Sequence, residues 1–198
     1  AYMPATTPMQ QSGISSSFED WVRLRIPICE AIERPGSILD MGCANGFLLE
    51  CLLDWTREKG VEIVPYGLDI SLKLVELARA RLPQFQANIF HGNALDWKPP
   101  LRFDYVRTMV EYVPTNWQAR FLKRLLNEVV AEDGALLVAQ YRSRKEDLSR
   151  GWIDDYLRDL EFTVERTLSG YSGDGKEKTR IAILRASQQD YDKIRGGR

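Results

Sequence analysis

The chain has 198 residues, with 27 basic and 28 acidic side chains for a formal net charge of −1, and is 44% apolar and 28% charged. That is ordinary for one soluble globular domain. It excludes an overall basic footprint for nucleic acid, and no run reaches the ~20 apolar residues of a membrane span. Cys29, Cys43 and Cys51 make an odd count with no Cys-x-x-Cys pair. This argues against a disulfide scaffold or structural zinc, and for a reducing, cytoplasmic setting. No metal site is expected.

The start, "AYMPATTPMQQSGISSS", is polar and Pro/Ser-rich and reads as a flexible arm over residues 1–16. "FEDWVRLRIPICEAIER" has helical spacing of Phe18, Trp21, Val22 and Ile26, with Ser17 as cap, Asp20 three residues on, and Pro27 to end or kink it. After the Pro35-Gly36 turn signal, "SILDMG" is a short buried strand. "FLLECLLDWTREKG" is a helix closed by Gly60, and "EIVPYGLDI" a strand. "SLKLVELARARL" is an amphipathic helix capped by Ser71, with Pro83 beyond its end.

"ANIFHGNA" and "FDYVRTMV" are strands, "NWQARFLKRLLNEVVA" a helix, "GALLVAQY" a strand and "DLSRGWIDDYLRDL" a helix. "EFTVERTLSG" and "EKTRIAILRA", joined by the Gly-rich "YSGDGK", signal a hairpin that adds an antiparallel strand at one edge. Residues 188–198 read as a frayed tail. Alternating strands and helices predict an α/β fold with a parallel sheet, residues 17–187 forming one domain.

The stretch "LDMGCANG" puts a carboxylate, Asp40, at a strand end and follows it with a turn almost free of side chains. Parallel α/β sheets bind ligands at the carboxyl ends of their strands. Small residues there let a ligand touch backbone, and the following helix offers free N–H groups. A dinucleotide fingerprint fails because Phe47 falls on the position that should be small. A phosphate loop is absent, and the leading carboxylate favours a ligand with a positive group and no phosphate. Asp69 follows Gly46 at about the 20-residue offset of a ribose-binding carboxylate, although it would also serve as a cap for the next helix. At the third strand end Asn93 and the Ala94 amide suit an adenine edge; the plain alternative is a loop.

"LDMGCANG", "GLDIS", "HGNALDW" and "FDYVRTMVEYVP" together resemble class I methyltransferases that use S-adenosylmethionine, over about Ser37 to Ala186. The resemblance implies a Rossmann-like three-layer sandwich with a seven-stranded, mostly parallel sheet whose last strand is antiparallel. It also implies cofactor contacts from Asp40, Gly42, Cys43, Ala44 and Gly46 under the methionine part, Asp69 on the ribose, and Ile70, Asn93 and Ala94 around the adenine, with Thr108 in the same set. Ala44 departs from the Gly that many members carry, and Asn93 from a common Asp.

Methyl transfer is a direct displacement that chiefly needs alignment and exclusion of water, with a base where the acceptor must lose a proton. Glu111 and Tyr112 are the catalytic candidates, although members with an "LEHVP"-type segment often place His where Tyr112 stands. Tyr141 and Arg142 are candidates for the acceptor pocket. Arg142, Arg144 and Lys145 suit an anionic acceptor, or form a solvated charged loop. His91 reads as structural and the Cys43 thiol as a packed side chain. Trp21 to Arg25 are either a lid over the cofactor or core.

Asn/Asp-Pro-Pro-aromatic is missing at "TMVEYVP", which disfavours amine methylation of DNA. The expectation is a methyltransferase for a small-molecule acceptor, binding neither DNA nor membrane. The alternatives are RNA or protein methylation, a non-catalytic cofactor-binding partner or sensor, and a nicotinamide oxidoreductase, the last weakened by Phe47.

Overall fold

Period-two alternation along the strands decides which face of the sheet each residue takes, and so what the strand ends present. The computed structural model describes residues 17–142 and 151–185, with Thr7 and Met9. Apart from those two residues, the expected arm lies outside them, as does the expected tail.

Helices α1 (Phe18–Arg23) and α2 (Ile26–Ala31) precede β1 (Gly36–Met41), α3 (Phe47–Glu58), β2 (Ile63–Asp69), α4 (Leu72–Arg81) and β3 (Ile89–His91). Then come β4 (Phe103–Thr108), α5 (Thr115–Arg124), β5 (Val130–Tyr141), α6 (Ile153–Asp159), β6 (Arg166–Tyr171) and β7 (Glu177–Arg185). Ser17 caps α1 as expected, its Oγ accepting from the Asp20 N–H at 3.1 Å. The Asp20 carboxylate instead reaches the Gly173 N–H of the final turn at 3.1 Å. Pro27 lies in the first turn of α2, so the chain breaks before it rather than at it.

The sheet order is β3-β2-β1-β4-β5-β7-β6. Strands β1 to β5 pair in parallel, and β7 runs antiparallel to both β5 and β6. Six strands therefore point one way and β7 against them, the arrangement that the resemblance implies. The antiparallel strand is not at the edge, however. β7 carries the buried run Ile181–Leu184 and takes the interior, while the less buried β6 closes the sheet.

Two other expectations shift. The helix predicted through Ala131 ends at Arg124, and Leu125–Val129 forms a wider turn. Val130 already pairs with Phe103 of β4, consistent with the strand preference of Val129 and Val130. The third strand is only Ile89–His91. The helix expected from Asp147 begins at Ile153; residues 147–150 lie outside the described ones.

Each face of the sheet carries a core. Ile38, Tyr105, Leu137 and Ala139 pack on one side against Ile28 of α2, Leu49 and Leu52 of α3, and Val75 and Ala78 of α4. Leu39, Met41, Val106 and Val138 pack on the other against Phe121 and Leu122 of α5 and Leu157 of α6.

Asp154 of α6 ties that second layer down. It accepts from Arg158 at 2.8 Å and from Arg180 of β7 at 3.1 Å. Burial opposes its charge, but these two guanidinium groups outweigh it and hold the carboxyl below the usual range. A depressed folded-state pKa gives stability above the unfolded value, near 3.9, that is lost as pH falls through the folded one. Asp154→Asn should cost about 1–2 kcal/mol at pH 7. In urea melts the gap from wild type should close below about pH 4.

Candidate active site

Asp40 is the last but one residue of β1, and its register partners are Gly67 on β2 and Arg107 on β4. All three stand at one level of the sheet, so the Asp40 and Arg107 side chains leave on the same face. Asp40 is 1% exposed and Arg107 5%. They form an ion pair, Arg107 Nη1 to Asp40 Oδ1 at 3.0 Å. Thus the cation that Asp40 attracts belongs to its own chain.

Arg107 Nη1 also donates to Tyr112 Oη at 3.2 Å, and Nη2 to Tyr141 Oη at 3.4 Å. Its Nε is buried without a partner. Burial works against the Arg107 charge, but Tyr112, Tyr141 and Asp40 outweigh it and raise its pKa well above the usual value. Burial pushes the Asp40 carboxyl up, with Arg107 pulling the other way. Burial also pushes the Tyr112 phenol up, so at neutral pH that group is a hydrogen-bonding phenol rather than a base.

The turn after β1 is wound tightly. Gly42 and Gly46 have φ of 78° and 76°, and Ala44 has φ of 49°, left-handed for a residue with a Cβ. A Cβ at Gly42 would overlap the Tyr112 ring, which lies over the turn. The free N–H groups expected here are largely used internally. Gly42 and Cys43 both donate to Leu68 O, at 2.7 and 3.1 Å. Ala44 N–H donates to Asp69 Oδ2 at 2.9 Å, and Phe47 N–H to Asn45 Oδ1 at 3.2 Å.

The Cys43 thiol fills the space that Gly67 leaves, since a Cβ on Gly67 would stand 2.7 Å from Cys43 Sγ. Burial raises that thiol's pKa well above normal. It is a packed side chain and not a nucleophile.

Asp69 ends β2 and accepts twice, from Ala44 N–H and, at 2.8 Å through Oδ1, from Ser71 N–H. It therefore joins the two turns, and each oxygen keeps a lone pair for a further donor. Ser71 stands at the start of α4 but makes no side-chain cap. Next to Asp69, Ile70 is 69% exposed, and His91 Nε2 bonds its carbonyl at 3.1 Å, a structural role. Asn93 Oδ1 accepts from Leu95 N–H at 3.0 Å, and Ala94 O accepts from Arg124 at 2.6 Å.

The structure parts other candidates. Thr108 pairs in register with Val138, on the α5 face, where its buried hydroxyl has no partner. Alternation thus puts it on the face opposite Asp40. Tyr141 faces the Asp40 side, whereas Arg142 turns away. Arg142 is buried, donates to Gly151 O at 2.7 Å and lies 3.6 Å over the Trp152 ring. It is therefore a packed tether and not a pocket residue, while Arg144 and Lys145 lie outside the described residues. Glu111 is exposed and takes no part in the hydrogen bonds joining Asp40, Arg107, Tyr112 and Tyr141.

Trp21 is core, 1% exposed against Phe47 and Trp55, with ring centroids 4.7 and 5.9 Å away. Four residues on, Arg25 lies over the Trp21 and Tyr141 rings, 4.9 and 4.6 Å from their centroids. Sequence reasoning missed Arg107 and Asn45, and reached Arg25 only as the end of a candidate lid. A readable signal existed for the first, a charged residue inside the uncharged strand run "YVRTMV".

A mostly parallel α/β sheet with an acidic residue at two successive strand ends and a left-handed turn between is an arrangement suited to a nucleoside cofactor. Residues 38–134 match the family model described as a methyltransferase domain. The chain shares its fold with a chain from the complex of the Haloferax volcanii Trm112 methyltransferase activator and the putative methyltransferase. That match has 17% identity, spans 91% of this chain and 94% of that one, and has a TM-score of 0.66. A methyltransferase from Aquifex aeolicus matches at 18% identity over 91% and 100% of the two chains, with a TM-score of 0.58. One from Geobacter sulfurreducens, solved with S-adenosyl-L-homocysteine, matches at 15% identity over 84% and 71%, with a TM-score of 0.54. No curated protein sequence matches significantly. The likeness to the methyltransferase-domain family is thus carried by just under half of the chain, and the solved methyltransferases share its fold.

The left-handed Ala44 carries a strain of about 1–2 kcal/mol, which glycine would relieve at about 0.5–1 kcal/mol of backbone entropy. Ala44→Gly should therefore stabilise the fold by about 0.5–1 kcal/mol in chemical denaturation.

Proposed function

We propose that the chain transfers a methyl group from S-adenosylmethionine to a small-molecule acceptor at the carboxyl ends of β1, β2, β4 and β5. The observation that carries this is the polar cluster there: Tyr112 and Tyr141, held by the one guanidinium of Arg107, stand beside the Asp40–Gly46 turn. Neither sequence interval that follows β4 or β5 holds an inserted domain for a large acceptor. The net charge of −1 gives no general attraction for RNA.

The residues present fit this cofactor. Asp69 keeps lone pairs for two ribose hydroxyls, and the exposed Ile70 offers an apolar face to a base. Asn93 Oδ1 has a second lone pair for an adenine amino group, beside the Ala94 amide. The turn from Asp40 to Gly46 underlies the amino-acid end, with its own amides satisfied, as suits a ligand without phosphate. Tyr112 has to swing off Gly42 to admit that end. When bound, S-adenosylmethionine supplies an electrophilic methyl on a sulfonium.

The chain's own work is to orient the acceptor and keep water out. The Tyr112 and Tyr141 phenols accept from Arg107. The Tyr112 O–H donates to Met109 Sδ at 3.4 Å and would exchange that weak bond for an acceptor heteroatom, as the Tyr141 O–H would point at one. Tyr112 serves as a donor and positioner, which leaves Glu111 as the remaining proton acceptor.

A thermal melt tests the cofactor. At about 100 times its dissociation constant a ligand adds about 2.7 kcal/mol. S-Adenosylhomocysteine should raise the midpoint by about 5–10 °C, and NAD should not. Asp69→Ala should weaken that binding by about 1–3 kcal/mol in calorimetry; unchanged affinity would leave Asp69 as a turn residue only. Tight cofactor binding with no methylated product across a broad small-molecule panel would point to the non-catalytic alternative.

A further inference from the structure

Arg25 sits at the bend between α1 and α2 and sends its guanidinium toward the ends of β4 and β5. Trp21, Arg25, Tyr141 and Arg107 alternate ring and cation: Arg25 lies over Trp21 and Tyr141, and Arg107 lies 5.6 Å from the Tyr141 ring centroid. Such stacking steadies a planar cation and orients it. It does not neutralise it.

Arg107 has Asp40. Among the described residues, no carboxylate lies within ion-pairing distance of Arg25, and no side-chain hydrogen bond is made by it. Burial acts against its charge, yet Asp40, Tyr112 and Tyr141 are close enough to act on it electrostatically. A guanidinium does not give up its proton near neutral pH. Around Arg25 itself, Arg107 adds a second positive charge and Asp40 the one carboxylate that acts on it, while Asp69 lies beyond Asp40 and acts on that carboxylate. The cluster of Arg25, Arg107, Asp40, Tyr112 and Tyr141 also holds an unpartnered donor in the buried Arg107 Nε. A half-buried cation without a counter-ion is an unfilled electrostatic position.

We infer that Arg25 is an anion-recognition residue, poised between Trp21 and Tyr141 to take a carboxylate of a ligand bound at the strand ends. That carboxylate has two chemical sources, the amino-acid end of the cofactor or an anionic acceptor. The first rests on the cofactor reading above. In either case Arg25 couples the α1–α2 bend to ligand binding, because the same side chain packs on the buried Trp21.

Calorimetry separates the sources. S-Adenosylhomocysteine, which has the carboxylate, and 5′-methylthioadenosine, which lacks the amino-acid end, are titrated into wild type, Arg25→Gln and Arg25→Lys. Benzoate is then titrated into each protein saturated with S-adenosylhomocysteine. If the cofactor supplies the carboxylate, Arg25→Gln loses about ten- to a hundredfold in affinity for S-adenosylhomocysteine. It loses nothing for 5′-methylthioadenosine, which also shows that the variant is folded. Arg25→Lys keeps the charge but not the stacked plane, and falls between.

If an acceptor supplies it, S-adenosylhomocysteine binds both proteins equally, and benzoate binds the saturated wild type but not the saturated Arg25→Gln. Equal behaviour of wild type and Arg25→Gln toward all three probes overturns the proposal, as does equal weakening toward S-adenosylhomocysteine and 5′-methylthioadenosine. Wild type that binds neither nucleoside removes the cofactor reading and this inference with it.

Discussion

The ion pair between Asp40 and Arg107 is the constraint on which the site depends. It bridges two adjacent parallel strands at their carboxyl ends, with both side chains almost wholly out of water. A pair buried this deeply adds little net stability, because desolvation takes back most of the attraction. Losing one partner is another matter, at about 3–5 kcal/mol, since a bare charge stays behind. The pair is thus a lock on geometry. Arg107 is held by Asp40, and in turn holds the phenols of Tyr112 and Tyr141, one from the turn after β4 and one from the end of β5. Three strand ends are thereby fixed relative to one another by one planar cation, whose fork of donors a lysine could not reproduce.

The turn beside that pair is arranged by the same economy of space. Gly67 is the partner of Asp40 on the other side, and its missing side chain lets the Cys43 thiol lie flat on β2. Gly42 has no side chain because Tyr112 is there. The two amides at the start of the turn are bound to Leu68 and the third to Asp69, so its shape is set before any ligand arrives. Preorganisation of this kind lowers the entropy lost on binding.

The sequence made the sheet legible because buried parallel strands and capped helices have strong local signatures, as in "SILDMG" and "SLKLVELARARL". The strand-end motifs were legible for the same reason, through their spacing. Tertiary choices escaped. Which of the two final strands enters the interior depends on competition for burial, not on the hairpin signal. Whether a residue one step past a strand faces the site depends on phase: Tyr141 does and Arg142 does not, and Thr108 is turned away where Arg107 is not. Arg25 was legible only as part of a candidate lid, not by its contacts. Its role comes from a bend that brings it across to Tyr141, a residue more than a hundred positions later.

The place of β7 bears on the order in which the molecule can be built. β6 precedes β7 in the chain, yet its ladder in the sheet is with β7 alone. Until β7 has left the ribosome, β6 has no neighbour and β5 keeps an open flank formed by Ala135 to Tyr141, with several of the most apolar residues in the protein. Open strand flanks of that kind invite pairing with other chains. Synthesis of this sheet therefore passes through a vulnerable interval, closed when β7 slides between two strands that are already made. A chain interrupted before Glu177 would be exposed to aggregation even though every residue around Asp40, Asp69 and Arg107 is present.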